Sequence, residues 1–320
     1  MIYFMFKNML KVFLCALSII ILIAIVYIAD PVKLISVIKT GDTSMIFAAF
    51  VLSNAAILVR CAKWKVLLPG IKFIDVVPVQ LLGVTVSNFS PGKVAEPVKA
   101  ILLKLKTGKN VSESLRSIVW ERILDVVVLL VFAFSALQFL SISGSFFFLS
   151  VLSVGVFLFL VFFLVLVLKT KELAVKTLYL FRKFPFVNRI NDNFLDTFYK
   201  QQIGTRKILV SFILTLVAWL LDGFVFYSAF KSVGITFHPF LFAGFIALAT
   251  LVGIISFLPG GIGSMEVSLL FILGLQGVSG PIAVSGLLLA RFLSIWYVVF
   301  LGLMSLIYLG RKFDLKQVFR

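Results

Sequence analysis

The sequence has few side chains that carry ordinary enzyme or metal chemistry. Its 320 residues include a single histidine, His238, and two cysteines, Cys15 and Cys61, which fit no metal-ligand or redox spacing. Carboxylates such as Glu121 and Asp125 are therefore the groups left for acid–base work. No nucleotide-binding motif is present either. We predict a protein that is not an enzyme and that holds no metal ion and no cofactor.

Charged residues are also scarce, and acidic ones most of all. They make up 13% of the chain, with 13 Asp and Glu against 30 Lys and Arg, which gives a formal net charge of +17. Such a charge often marks a nucleic-acid partner, but here the basic residues stand mostly between apolar segments. With 62% hydrophobic residues and a mean hydropathy of +1.17, the chain carries too much apolar surface for a soluble core. We expect a polytopic membrane protein that binds no nucleic acid.

Six apolar segments have the length and composition of membrane spans. We expect full spans at residues 12–29, 45–60, 115–140, 146–168, 208–230 and 282–309. Lys7 and Lys11 precede the first segment, as in a signal peptide, but Ala29-Asp30-Pro31 after it is a poor cleavage site. We therefore predict that this segment is retained as the first span.

Basic residues assign the sides of the membrane. They concentrate before residue 12, at 60–72, at 104–116, at 169–207 and after residue 310, which predicts a plasma-membrane protein with both termini in the cytoplasm. Two further apolar segments, 74–105 and 240–275, then begin and end on the same side, the first inside and the second outside. We interpret them as broken re-entrant hairpins. Two full crossings each, for ten spans in all, would place the loops identically, so the sequence leaves both arrangements open.

The segments form two halves with the same order of elements. Each half reads span, span, hairpin, span, with the linker between the first two spans of the second half; the halves cover residues 1–140 and 146–310, followed by a cytoplasmic tail at 311–320. The linker, residues 169–207, has Phe194 and Phe198 among apolar residues at helical spacing, so we expect an amphipathic helix on the cytoplasmic leaflet. The predicted fold is an all-α polytopic membrane protein with two inverted-topology halves, a design typical of transporters.

A Pro-Gly motif recurs once in each hairpin. Pro91-Gly92-Lys93-Val94-Ala95-Glu96 returns, modified, as Pro259-Gly260-Gly261-Ile262-Gly263-Ser264-Met265-Glu266. Proline and glycine break a helix, so Pro91, Gly92, Pro259, Gly260, Gly261 and Gly263 are the predicted hairpin breaks. A new helix should start near Val94 or Ser264, with an N-terminus suited to a phosphate.

An arginine follows each motif at nearly the same distance. Arg122 comes 31 residues after Pro91, and Arg291 comes 32 residues after Pro259. A charge inside a span costs about 2.5 to 3.5 kcal/mol on insertion scales, so both should face protein or water. The predicted substrate-binding residues are Glu96, Glu121, Arg122, Asp125, Glu266 and Arg291.

Structural alternatives exist for these charges. Glu96 and Glu266 also suit the dipole of a first helical turn, and Glu121 and Asp125 also suit local neutralisation of Arg122. Arg291 is expected to pair with Glu266 or with a lipid phosphate. Asp222 stands alone in its span and is a candidate for proton coupling or for an ion pair with an arginine.

The motifs resemble those of the lysylphosphatidylglycerol synthase transmembrane-region family. The resemblance rests on Ser90-Pro91-Gly92-Lys93-Val94-Ala95-Glu96, on Trp120-Glu121-Arg122-Ile123-Leu124-Asp125 and on Leu258-Pro259-Gly260-Gly261-Ile262-Gly263, and it runs from about Arg60 to the end. It implies translocation of a polar-headed lipid, as in the flippase half of the multiple peptide resistance factor. Ala95, where many members have glycine, and Pro97 depart from the pattern. Only eleven residues follow Leu309, so we expect no aminoacyl-transferring domain.

A lipid flippase is therefore the predicted function, with membrane lipids that are anionic or carry a phosphate as partners. Three alternatives stay open: a non-catalytic membrane partner of a separately encoded glycosyltransferase or lipid synthase, a secondary carrier of a small anion, and a membrane enzyme that uses carboxylates to modify a lipid. The sequence specifies neither the headgroup, nor the energy source, nor the oligomeric state.

Overall fold

The computed structural model describes residues 39–137, 169–180, 192–200, 203–278 and 280–313, together with single positions before 39 and between 155 and 166. This part of the chain is helical, and no strand occurs in it. We number its helices in chain order: α1 Thr43–Leu67, α2 Phe73–Asn88, α3 Val98–Thr107, α4 Val111–Leu137, α5 Lys171–Leu180, α6 Asp192–Lys200, α7 Thr205–Ser232, α8 Pro239–Ile255, α9 Ser264–Leu275, α10 Gly280–Arg291 and α11 Tyr297–Gly310.

Three helices within the described residues are long and apolar enough to cross a membrane. They are α1, α7 and the continuous segment Gly280–Gly310. Helix α4 is long enough at 27 residues, but its first half carries several charges, including Glu113, Arg116 and Glu121. The predicted spans 12–29 and 146–168 fall almost wholly outside the described residues. The structure thus supports a multi-pass helical membrane protein, and the count of six full spans stays a prediction.

Both predicted hairpins are helices broken at the Pro-Gly motif. The first consists of α2 and α3, and the second of α8 and α9, with the breaks at residues 89–97 and 256–263. Helix α9 starts at Ser264 as expected, but α3 starts at Val98, and the expectation of a start near Val94 was wrong. Proline at position 97 has no N–H and restricts the residue before it, so residues 93–97 form successive tight turns instead of a helical turn.

The backbone polar groups of the two breaks are bonded locally. In the first, Ser90 Oγ accepts the Ala95 N–H at 3.0 Å and Ser87 Oγ donates to the Lys93 carbonyl at 3.2 Å. In the second, the Gly261 N–H donates to the Leu258 carbonyl at 2.9 Å. Irregular backbone at membrane depth persists only when such groups are satisfied or wet. These bonds therefore allow both breaks to lie inside the protein.

The two hairpins meet at their breaks and pack reciprocally on the opposite halves. Pro91 and Pro259 form an isolated antiparallel bridge between the breaks. Helix α2 packs on α11, helix α8 packs on α4, and α1 packs on α7. Helix α1 thus packs on its equivalent in the other half, and the first helix of each hairpin packs on the last span of the other half. Such exchange is what a duplicated chain with a two-fold relation produces, and the opposite membrane polarity of the halves stays a prediction.

A π-helical turn interrupts the last span directly after Arg291. It covers Phe292–Trp296 and joins α10 to α11. The extra residue in this turn shifts the backbone bonding, and the Leu293 carbonyl accepts a hydrogen bond from Ser53 Oγ at 2.7 Å. The π-turn thus lies directly after Arg291 and is bonded to α1 through Ser53.

Helix α6 of the predicted linker packs on the first half. Arg116 of α4 donates to the carbonyls of Phe198 and Tyr199, at 3.2 and 3.3 Å. Phe198 also packs against Leu67 and Trp120. Part of the linker, including Val187 and Ile190, lies outside the described residues. Helix α6 thus turns a side chain of its apolar face towards α4, whereas we expected that face to meet lipid.

Candidate functional site

Lys99 lies at the centre of a buried group of charges between the first hairpin and α4. Its side chain is fully buried, and Nζ lies 2.7 Å from Glu96 Oε1 and 2.7 Å from Glu121 Oε2. Gln80 supplies a third oxygen at 3.1 Å, and Nζ stands 4.7 Å from the centre of the Trp64 ring. A buried ammonium persists only with such partners, because desolvation of an isolated charge costs several kcal/mol.

Lys63 brings α1 into the same group. Its Nζ donates to Asp125 Oδ1 at 2.7 Å and lies 3.4 Å from Glu121 Oε1. The indole N–H of Trp219, on α7, also donates to Asp125 Oδ1, at 3.2 Å. Asp125 therefore links both α1 and α7 to α4.

Arg122 completes the group on its more open side. Its Nη2 lies 2.8 Å from Asp125 Oδ2, and its Nε lies 2.8 Å from Glu96 Oε2. The Nε–H does not point at that oxygen, so this second contact is electrostatic rather than a hydrogen bond. We call Lys63, Glu96, Lys99, Glu121, Arg122 and Asp125 the charge cluster. Three cations and three carboxylates balance in it, so the local neutralisation of Arg122 considered from the sequence is present, with Glu96 added.

The second hairpin has a smaller equivalent. Glu266 Oε2 accepts the Gly263 N–H at 2.6 Å, and Glu266 Oε1 accepts a hydrogen bond from Arg291 Nε. Both expectations for Glu266 therefore hold, because it caps the start of α9 and pairs with Arg291. The carboxylate occupies the helix N-terminus where a phosphate was expected.

Arg291 keeps one nitrogen free of protein partners. The residue is 7% exposed, and within the described residues its Nη2 has no hydrogen-bond partner. Ser294, on the π-turn, has a buried Oγ that likewise has no hydrogen-bond partner within the described residues. Buried polar atoms are almost always bonded, so a pair of unbonded ones at one place points to a missing ligand or to water.

Asp222 forms an ion pair that the sequence did not locate. Arg60 Nη1 donates to Asp222 Oδ1 at 2.9 Å, and Nη2 contacts Oδ2, so the pair is bidentate. The Arg60 guanidinium also stands 5.5 Å from the centre of the Trp219 ring. Of the two roles considered for Asp222, the structure shows the ion pair, and proton coupling stays untested.

A cavity of about 160 Å³ lies between the two hairpin breaks. Glycines of both breaks reach it, and its charged lining residues are Arg60, Lys93, Asp222 and Arg291. Uncharged polar side chains also line it, namely Gln80, Asn88, Thr250 and Ser294. We call this space the tip cavity.

Lys93 gives the tip cavity its excess charge. Arg60 is neutralised by Asp222, and Arg291 by Glu266 behind it. No carboxylate of the described residues lies within ion-pair distance of Lys93, so one positive charge remains uncompensated. The cavity can therefore attract an anion without separating an existing pair.

The predicted site residues divide into two groups. The structure brings Glu96, Glu121, Arg122 and Asp125 together in the charge cluster, and among the described residues none of them lines the tip cavity. Arg291 lines the cavity and Glu266 supports it. The predicted break residues also fall into two sets. Gly92, Gly260 and Gly261 line the cavity, whereas Pro91 and Pro259 form the bridge between the hairpins.

Four important residues escaped prediction from the sequence. Arg60 and Lys63 counted only as basic residues that orient the membrane protein, yet both belong to α1 and have acidic partners inside the protein. Lys93 and Lys99 stand within or next to the Pro-Gly motif. The spacing of Lys99 three residues after Glu96 was the available signal, because residues three apart meet across a single turn, and here the Lys99 N–H donates to the Glu96 carbonyl.

The sequence matches the family described as Lysylphosphatidylglycerol synthase TM region over residues 13–302. The chain belongs to this family. The match begins upstream of Arg60, so the family region also includes the first predicted span. The hairpins, the tip cavity and the charge cluster all lie inside the family region.

Archaeal relatives cover almost the whole chain. It is 29% identical to a UPF0104 membrane protein of Methanothermobacter thermautotrophicus, over 96% of this chain and 96% of the relative. It is 27% identical to UPF0104 membrane protein PH1989 of Pyrococcus horikoshii, over 92% and 96%. Both are named as membrane proteins and neither name states an activity. This family member is accordingly a membrane-embedded, multi-pass helical protein.

Proposed function

We propose that this protein moves a polar-headed lipid between the leaflets of the plasma membrane, with the headgroup passing through the tip cavity. The observation that carries the proposal is a cavity bordered by the breaks of both hairpins, in which Arg60, Lys93, Asp222 and Arg291 stand among apolar side chains. A charged headgroup cannot cross hydrocarbon cheaply, and a desolvated phosphate needs fixed cations in place of water. Lys93 and the free nitrogen of Arg291 supply them.

Apolar side chains beside the cavity favour a lipid over a soluble substrate. Phe89, Val94 and Phe257, which flank the two breaks, are all more than half exposed. Phe257 also packs directly on Gly92, at the boundary of the cavity. In a membrane-embedded protein such exposed side chains meet acyl chains. A lipid could therefore keep its tails in the bilayer while its headgroup enters between the breaks.

The charge cluster has a supporting role in this proposal. Its six residues neutralise one another and connect α1, α3 and α4 with the first break. A rigid, charge-balanced support lets the first break carry Lys93 at a fixed position beside the second. Glu96, Glu121, Arg122 and Asp125 thus position the site, whereas Arg291 contacts the headgroup. Because no nucleotide-binding motif exists in the sequence, the energy would come from a gradient, from a partner or from the lipid's own concentration difference.

A translocation assay tests the proposal. Purified protein is reconstituted into vesicles with fluorescent phosphatidylglycerol, and the fraction reached by an external quencher is followed over time. The proposal predicts faster exchange than in empty vesicles, and a reduction of about tenfold or more for Arg291→Gln. Arg311→Gln, which makes the same change at an exposed position after the last span, serves as the control and should keep the wild-type rate.

A secondary carrier of a small anion is the second candidate, because a cavity of about 160 Å³ is small for a whole headgroup. Uptake of radiolabelled phosphate into the same vesicles separates the two. Phosphate uptake without lipid exchange would contradict the lipid proposal, and so would folded protein that exchanges lipid no faster than empty vesicles.

A further inference from the structure

The two breaks share an unusual backbone conformation but differ in one side chain. Gly92 and Lys93 have φ of 57° and 59°, and Gly260 and Gly261 have φ of 62° and 66°. Both breaks therefore place two successive residues in the left-handed region directly after proline. Only glycine adopts this region freely, and other L-residues lose about 1 to 2 kcal/mol there. The first break has lysine where the second has glycine.

The lysine is thus placed where the backbone alone favours glycine. Lys93 lines the tip cavity and is the one charged lining residue without an ion-pair partner among the described residues. The same cavity holds the unbonded Nη2 of Arg291, a residue that is 7% exposed, and the nearby unbonded Oγ of Ser294. Lys93, Arg291 and Ser294 all line this one cavity, so their donor groups are available there to a single ligand.

The cavity offers little to a positively charged headgroup. Asp222 is the carboxylate among its described lining residues, and Arg60 holds both of its oxygens. The amide group of Asn88 and the hydroxyl of Thr250 suit hydroxyl groups of a ligand. The lining therefore matches one phosphate negative charge together with uncharged hydroxyls.

We propose that Lys93 makes this protein selective for phosphodiester lipids whose headgroup is an uncharged polyol, with Lys93 Nζ, Arg291 Nη2 and Ser294 Oγ holding the phosphate. Lipids that add an ammonium to the phosphodiester are disfavoured, because Lys93 and Arg291 repel it and Asp222 is engaged. The proposal rests on the proposed function and names the substrate class of the same cavity.

Lys93→Gly tests this selectivity with little risk to the fold, because glycine suits a φ of 59° and is the residue of the second break. Native mass spectrometry measures the lipid retained after incubation with equal amounts of phosphatidylglycerol, phosphatidylethanolamine and lysyl-phosphatidylglycerol. Wild-type protein should retain phosphatidylglycerol over each of the others by on the order of tenfold, the factor expected of one charge interaction. Lys93→Gly should reduce the preference to about twofold or less, and Lys93→Arg should restore most of it. Lys65→Gln, at an exposed site on α1, should match wild type.

The inference is overturned by an unchanged preference in Lys93→Gly protein that melts like wild type, and equally by a wild-type protein without preference. Inorganic phosphate is added as a separate arm. If millimolar phosphate displaces phosphatidylglycerol completely, the site binds free anions and the lipid assignment fails. The vesicle assay keeps the two proposals apart. Selective retention without exchange would contradict only the translocation, and exchange without headgroup preference would contradict only the role of Lys93.

Discussion

At the scale of single residues, stability depends on each buried charge keeping its oppositely charged partners. Lys99→Met removes the ammonium from Glu96 and Glu121 and leaves buried carboxylates with excess negative charge. Breaking a buried pair from one side typically costs about 3 to 5 kcal/mol. We expect a loss of that size in the free energy of unfolding, measured in detergent by denaturant titration. Lys104→Met, at an exposed position on the same helix, should change it by less than about 1 kcal/mol.

A loss below about 1 kcal/mol for Lys99→Met would show that the stability of the protein does not depend on a complete charge cluster.

The charge cluster also shows what residue-level sequence analysis misses. Arg122 was identified by its distance from the Pro-Gly motif, and Glu121 and Asp125 were then considered because they are close to it in sequence. Lys63 is 62 residues from Asp125, its partner, and no spacing rule connects them before the helices are packed.

Glu266 competes with any anion for Arg291. Its Oε1 contacts Arg291 Nε, while its Oε2 binds the Gly263 N–H. Glu266→Gln keeps a side-chain acceptor for the cap but removes the negative charge, so Arg291 becomes uncompensated. We expect a lower melting temperature together with a severalfold rise in phosphatidylglycerol retention by native mass spectrometry. Reduced retention in folded Glu266→Gln protein would show that Glu266 assists binding rather than opposing it.

At the scale of helices, close crossings hold each hairpin against the opposite half. A Cβ at Gly302 of α11 would lie 1.9 Å from Thr85 Oγ1 and 3.0 Å from the Leu81 carbonyl of α2. A Cβ at Gly244 of α8 would lie 2.4 Å from Ala136 Cβ on α4. Small residues permit such approach between membrane helices. Gly302→Ala and Gly244→Ala should each lower the free energy of unfolding by about 1 to 3 kcal/mol.

Gly274→Ala is the matched control, because nothing lies within 4 Å of a Cβ there. It should leave stability unchanged or raise it by up to about 1 kcal/mol through helix propensity. If all three variants behaved alike, the crossings would not depend on glycine.

The helices themselves were largely predictable, since apolar length and Pro-Gly breaks determine where they run. The residues at which the helices begin and end were less predictable. The predicted span 45–60 is observed as the longer helix Thr43–Leu67. Arg60 and Lys63, which were expected in a loop, continue the helix because they pair with carboxylates inside the protein. The π-turn after Arg291 was not predicted from the sequence, and its Leu293 carbonyl is bonded to Ser53, 240 residues away in the chain.

At the scale of the whole molecule, the two halves are related in architecture but unequal in chemistry. The repeated motif predicted paired hairpins, and the bridge between Pro91 and Pro259 brings their breaks together. The sequence did not reveal that charge would divide unevenly, with six residues clustered beside the first break and one pair beside the second. That division depends on side chains from α1 and α7, which meet the motifs only in the folded chain.

Passage of a headgroup between the two breaks is the central claim, and a reversible cross-link tests it directly. Pro91 and Pro259 are bridge partners, and such pairs have Cα separations of about 4.5 to 5.5 Å, within the range of a disulfide. Pro91→Cys with Pro259→Cys, in a chain with Cys15→Ser and Cys61→Ala, should cross-link on oxidation. Phosphatidylglycerol exchange in vesicles should then fall to the level of empty vesicles and return after reduction, while each single-cysteine variant keeps its rate under oxidation. Exchange at an unchanged rate in fully cross-linked protein would contradict the account.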